Sequence, residues 1–283
     1  MSDLPFARTE SRRQRRRRRR RGEPRRRRRG VYLLPQLFTT ANLFFGFFTI
    51  VKAQEGSFFL AALGIVLAGI CDGLDGRVAR LSKTTSKFGL EYDSLADIVS
   101  FGLAPAILAF HGGHLEGFRR TGFAIAFLFV ACAALRLARF NVQPSRYSGR
   151  FEGLPSPAAA GMVSATQLFV LFLRDEQVDV VVPEALVAAG VASLGLLMVS
   201  AIPYRSFKEI DLRHSYRAIV VMVLVLALIV QEPQTSIFVI GLLYVLSGPV
   251  EWVWRMISGT PLQKLPQPLP PETPQPTSQE TLS

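Results

Sequence analysis

Eight apolar segments run along this chain, at about residues 34–53, 57–80, 92–111, 122–141, 155–173, 181–203, 215–231 and 236–257. Each is close to the ~20 residues that an α-helix needs to cross a ~30 Å hydrocarbon core. Inside hydrocarbon every backbone N–H and C=O must find its partner within the protein, so segments of this length cross as helices. The expectation is an all-α, polytopic integral membrane helix bundle with about eight transmembrane helices. Runs of small residues such as "AALGIVLAGI" and "ALVAAGVASLG" suit close approach of helices in lipid. Cys71 and Cys132 both fall in apolar runs and read as small buried helix residues, not as a disulfide framework.

Charge is distributed as unevenly as hydropathy. The 283 residues carry a net +12, yet residues 12–29 alone hold fourteen arginines and one glutamate. The remainder is close to neutral. With nothing apolar to bury, residues 1–30 are expected to form a disordered, Arg-rich arm. The full-length apolar segment that follows shows no small-residue cleavage site and reads as an uncleaved first span. The Pro-rich stretch 259–283 is likewise expected to be a disordered tail, which leaves 31–258 as the membrane domain.

Placing the arm in the cytoplasm puts Arg77, Arg80, Lys83 and Lys87 in one cytoplasmic loop. Arg146 and Arg150 then fall in the next, and Arg205, Lys208, Arg213 and Arg217 in the third. The opposite loops hold only Lys52, Arg119, Arg120 and Arg174. By the positive-inside rule both termini are expected in the cytoplasm, in a bacterial-type inner membrane crossed many times.

Against this background four aspartates stand out. Asp72 and Asp75 lie at i and i+3 near the end of the second segment, and Asp93 and Asp97 at i and i+4 near the start of the third. Each pair shares one helix face. A short polar loop joins the two helices, so they are expected to run antiparallel as neighbours, with all four carboxylates converging at the cytoplasmic rim. Such a cluster repels itself strongly at low dielectric and needs counter-charge. Oxygen-only donors suit hard cations such as Mg²⁺, Mn²⁺ or Ca²⁺, and two divalent ions balance four negative charges. Simple ion pairing with the loop cations is the alternative. It leaves two facing pairs at helical spacing unexplained.

The full spacing is Asp72-x-x-Asp75-Gly76-x-x-Ala79-Arg80, eight residues, Gly89-x-x-x-Asp93-x-x-x-Asp97. It resembles the signature of the CDP-alcohol phosphotransferases at every position. The resemblance implies that family's membrane fold and transfer from a CDP-linked lipid to a small alcohol, with CMP leaving. It further implies Asp72, Asp75, Asp93 and Asp97 as ligands of Mg²⁺ or Mn²⁺, two ions, with Asp97 as catalytic base. Gly76, Ala79, Arg80 and Gly89 would line the nucleotide and phosphate pocket, and the protein would form a homodimer.

The signature does not name the acceptor. "LPQLFTTANLFFGFFTI" at 34–50, "ALRLARFNV" at 134–142, "FEGLPSPAAAG" at 151–161 and "SAIPYRSFK" at 200–208 resemble segments of membrane-embedded phosphatidylserine synthases. Gln36 departs from them, since asparagine often follows that proline. This resemblance implies CDP-diacylglycerol and L-serine as substrates, giving phosphatidylserine and CMP. Choline, inositol phosphate and glycerol 3-phosphate are the alternative acceptors within the family. A non-enzymatic cation transporter or a membrane-tethered nucleic-acid binder are the alternatives outside it.

Serine carries a carboxylate that wants a cation, and Arg136 and Arg139, beside Asn141, are the candidates for the acceptor pocket. A positive-inside anchor is the competing role. Thr39 and Asn42 are candidates for the cytidine pocket, with helix packing as the alternative. The Arg-rich arm is expected to set topology and to contact anionic membrane lipids. His111, His114 and His214 are read as loop or surface residues, and Trp252 and Trp254 as an interfacial belt. Glu184 and Glu251 receive no functional account from sequence.

Overall fold

The computed structural model describes residues 33–82, 86–142, 150–178, 182–205 and 230–259. The arm, the tail, the 215–231 segment, His214 and the cations Lys83, Arg146, Lys208, Arg213 and Arg217 lie outside the described residues. The described chain is almost wholly helical. Among the described residues, five helices are long and apolar enough to cross a membrane: Phe58–Val78, Lys87–Gly112, Arg120–Val142, Ser156–Asp175 and Pro233–Ser258.

α1 spans Leu33–Gln54 and α2 spans Phe58–Ser82. α1 is 22 residues long but carries Gln36, Thr39, Thr40 and Asn42 in its first half, and it falls outside the set of five. α3 (Lys87–Asp97) starts at Ser86, whose side chain accepts the Gly89 N–H at 2.9 Å. This is the N-cap bond that satisfies an otherwise orphaned amide. A π-helical segment, Ile98–Leu103, follows directly, and α4 (Ala104–Gly112) completes the rod. After a single 3₁₀ turn come α5 (Arg120–Val142), β1 (Arg150–Glu152), α6 (Ser156–Asp175), α7 (Glu184–Val199), β2 (Pro203–Arg205) and α8 (Pro233–Ser258). α7 is apolar but only 16 residues long.

Small residues form much of the core: Ala61, Ala62, Ala68, Ala104, Ala133, Ala159 and Ala160 are all buried. They let the helices approach closely, which in lipid replaces the hydrophobic effect as the main packing device. The large apolar side chains Phe44, Phe47, Ile70, Phe123, Phe127 and Leu135 point outward. In water that would be an aggregation surface; on spans of this length it is the lipid-facing surface. Between α4, α6, α7 and α8 lies an apolar cavity of about 650 Å³, lined in part by Met162, Phe169, Leu194, Phe238 and Val245.

Two features depart from the sequence expectations. The first is a two-stranded antiparallel ribbon that pairs Arg150 with Arg205, Phe151 with Tyr204 and Glu152 with Pro203. It anchors α8. Pro249 lacks an N–H, so it gives no intrahelical donor to the Val245 carbonyl one turn back. The buried Tyr204 hydroxyl donates to that carbonyl at 3.0 Å. Gly248 makes room for the ring, since a Cβ there would strike it. Burial, helped by Tyr244, pushes the Tyr204 phenol up to about 12, so it stays a donor. Glu251 adds ion pairs to Arg150 at 2.8 Å and Arg255 at 2.7 Å.

The second concerns where α2 meets the third span. Both α2 and α3 pack on α1, and α2 touches the third span farther along, at the π segment and α4.

Candidate metal centre

One buried face of α1 organises the site. Pro35, Thr39, Asn42, Gly46, Thr49 and Ala53 are all buried and recur at alternating four- and three-residue spacing. That is the period of a helical packing seam. Here, however, its members are polar or small. The Thr39 hydroxyl donates to Asp75 Oδ2, and Asn42 Nδ2 donates to Asp97 Oδ1 at 3.1 Å. The Asn42 carbonyl accepts from Ser100 Oγ at 2.9 Å, and Thr49 Oγ1 donates to the Ala61 carbonyl on α2 at 2.9 Å. α1 thus holds one aspartate from each carboxylate-bearing helix.

The four aspartates come together. Asp72, Asp93 and Asp97 each offer a carboxylate oxygen, and these atoms lie within 4.8 Å of one another. Asp75 is 7% exposed, faces Asp93 and is engaged by Thr39. The cluster mixes both helix pairs, as the i,i+3 and i,i+4 spacings require.

The donor set fits a hard divalent cation on three grounds. All donors are oxygens, the group such ions select. Asp93 Oδ1 is buried without a hydrogen-bond partner, so one acceptor in the cluster has no donor from the protein. Asp72, Asp93 and Asp97 also bring three like charges together, and Arg136 is a basic group that acts on Asp97. Among the described residues little protein counter-charge backs these carboxylates, and that is a cation's environment.

The remaining sequence candidates divide. A Cβ at Gly76 would meet nothing within 4 Å, so there is open space beside the backbone one residue after Asp75. Gly89 is committed to the N-cap of α3, and a Cβ there would stand 3.1 Å from Ser86 Oγ. Ala79 and Arg80 lie on α2, but their side chains are outside the described residues. The Thr39 hydroxyl and an N–H of Asn42 each reach a carboxylate.

The two arginines of α5 separate clearly. Arg139 Nη1 and Nη2 donate to the Val199 carbonyl at 3.2 and 3.3 Å, capping the C-terminus of α7. A cation there satisfies carbonyls that the helix leaves open. Arg136 instead lies within electrostatic reach of Asp97 and of Tyr244 on α8. Its Nη1 donates to Ser156 Oγ at 3.0 Å, and its Nε is buried without a partner. Asn141 donates to Ser94 Oγ at 2.9 Å on the exposed side of α3.

Sequence reasoning missed Ser100, Ser156 and Tyr244. The α1 seam was readable in principle, as small and polar residues at heptad spacing inside a Phe-rich segment. His111 pairs with Glu116 at 3.2 Å, on the turn that follows α4. The fourteen-residue separation of His111 from Asp97 puts it ~20 Å along the rod from the carboxylates.

Comparison with known proteins bears on the same residues. The CDP-alcohol phosphatidyltransferase family profile matches residues 32–201, which hold the whole aspartate signature. CDP-diacylglycerol–serine O-phosphatidyltransferase of Helicobacter pylori is 39% identical over 234 residues, covering 80% of this chain and 94% of that protein. The protein of the same name from Mycobacterium leprae is 34% identical over 225 residues, or 77% of this chain and 73% of the relative. Archaetidylserine synthase of Methanothermobacter thermautotrophicus is 35% identical over 173 residues, or 60% of this chain and 69% of the relative.

Proposed function

The chain belongs to the CDP-alcohol phosphatidyltransferase family, and from that premise we propose how its site works. The protein is an enzyme that transfers the phosphatidyl group of CDP-diacylglycerol to L-serine, giving phosphatidylserine and CMP. The observation that carries this reading is the cluster of Asp72, Asp93 and Asp97 beside Arg136. It sets a cation site next to an arginine, in a chain whose relatives bear the name of this serine transferase.

The serine hydroxyl oxygen attacks the phosphorus on the lipid side of the pyrophosphate. A new P–O bond to serine forms, the bond to the bridging oxygen breaks, and that oxygen leaves on CMP. The hydroxyl proton passes to Asp97. A positioned carboxylate base of this kind typically contributes ~10²–10⁴-fold. Asp72, Asp75 and Asp93, with Asp97 beside them, would hold divalent metal, Mg²⁺ or Mn²⁺, as two ions to match four carboxylates. When bound, the metal neutralises charge on the pyrophosphate and on the departing phosphate oxygen. Arg136 takes the serine carboxylate; its partnerless Nε supports this role, and Arg139 serves as the helix cap. The open space at Gly76 receives the nucleotide phosphates, alongside Ala79, Arg80 and the backbone near Gly89.

The same reading places the site and both termini at the cytoplasmic face of an inner membrane, where a water-soluble nucleotide can leave and the lipid stays behind. Cation bias among the loops supports it. Eight spans follow if α1, α7 and the 215–231 segment cross with the five long apolar helices. Residues 1–30 then form a cytoplasmic arm that contacts anionic lipid, joined to the membrane domain 31–258, and 259–283 form the tail.

Purified protein in detergent, given CDP-diacylglycerol and Mg²⁺ or Mn²⁺, should release CMP when L-serine is added. Release with another alcohol and not with serine would overturn the acceptor. No release with any alcohol, from folded protein, would overturn the enzyme reading.

A further inference from the structure

Asn42 is wholly buried in α1, yet its side chain is only half used. Nδ2 donates to Asp97 Oδ1, while Oδ1 is buried without a partner. The reverse orientation would set the amide oxygen against the carboxylate, so Asp97 dictates which way the amide faces. A buried acceptor without a donor is unfavourable and calls for a reason. Around it the backbone is fixed from the other side. Ser100, fully buried in the π segment that begins right after Asp97, donates to the Asn42 carbonyl at 2.9 Å. Ser100 sits directly over Gly46, where any Cβ would collide with it. One residue of α1 is thereby tied to the carboxylate and to the turn that follows it.

We propose that Asn42 is a positioning residue for Asp97. Its amide holds the carboxylate in the orientation that accepts the proton of the acceptor alcohol, and the Ser100–Gly46 contact keeps α1 and the π segment in register. The inference rests on the reading of Asp97 as the base. It competes with a cytidine-contact role for Asn42, whose side chain is wholly buried and gives an N–H to the Asp97 carboxylate.

Steady-state CMP release by the full-length chain in detergent tests this, with wild type, Asn42→Ala, Ser100→Ala and Asp97→Asn run in parallel. Asn42→Ala should lower kcat by about 10- to 100-fold, the scale of a slight misplacement of a reacting group. KM for serine, KM for CDP-diacylglycerol and inhibition by CMP should stay within about twofold of wild type. Ser100→Ala, which removes the tie without touching the carboxylate, should shift kcat the same way by less. It also stands in should Asn42→Ala fail to fold. A raised KM for CDP-diacylglycerol and weaker CMP inhibition with kcat kept would restore the cytidine role and overturn the proposal. A lower Tm with unchanged kcat per folded protein would overturn it as well. If Asp97→Asn is inactive while both Asn42→Ala and Ser100→Ala turn over normally, positioning alone fails. If Asp97→Asn is fully active, the base reading fails and takes this inference with it.

Discussion

The carboxylate end of the bundle and the end beyond His111 are built on opposite principles. At the carboxylate end, buried polar groups meet one another: Thr39 with Asp75, Asn42 with Asp97, Ser100 with the Asn42 carbonyl, Arg136 with Ser156. Toward the other end, packing is mainly apolar. Phe169 and Phe238 stack with centroids 4.5 Å apart and line a largely apolar cavity. Buried polar groups are unfavourable unless satisfied, and in a membrane protein they concentrate where chemistry needs them. On the proposed function, the asymmetry between the ends separates the part of the molecule that reacts from the part that holds it in lipid.

Changes at the two ends should therefore differ in kind, and the largest effect belongs to the cation. Chelating divalent ions should lower CMP release by ~10²-fold or more, with recovery on adding back Mg²⁺ or Mn²⁺. Activity that survives chelation would break the division at once. Next, Arg136→Ala should raise the serine KM by ~10- to 100-fold, the range for losing a hydrogen bond to a charged group. Arg139→Ala should leave that KM alone and lower Tm instead. Equal effects from the two would mean that the structure's distinction between them has no functional meaning.

Tyr204→Phe, away from the reacting groups, leaves the Val245 carbonyl buried without its donor and should cost ~1–3 kcal/mol of stability. Thermal unfolding in detergent reads that loss, and kcat of the folded protein should not change. Smallest of all, His111→Ala removes a partly exposed contact with Glu116 and should move stability by under ~1 kcal/mol with full activity.

Much of this was legible in the sequence because it depends on local spacing. Segment length marks a span, and i,i+3 and i,i+4 spacing sets Asp72 with Asp75 and Asp93 with Asp97 before any fold is known. The π segment was not legible, since Ile98–Leu103 is as apolar as an ordinary helical turn. Nor was the ribbon, which joins residues some fifty positions apart and depends on where α6 and α7 place their ends. Arg136 and Arg139 share a helix face and a residue type. Their tertiary partners tell them apart, Ser156 for Arg136 and the Val199 carbonyl for Arg139. Thr39 and Asn42 were visible as polar residues in an apolar helix, but which carboxylate each one holds is a tertiary fact.

The most direct test of the account is Asp97→Asn, measured for CMP binding and for serine-dependent CMP release on the same preparation. The account predicts that nucleotide binding is largely retained and that turnover falls by ~10²-fold or more, because the base is gone and the pocket remains. Full turnover by Asp97→Asn would contradict it.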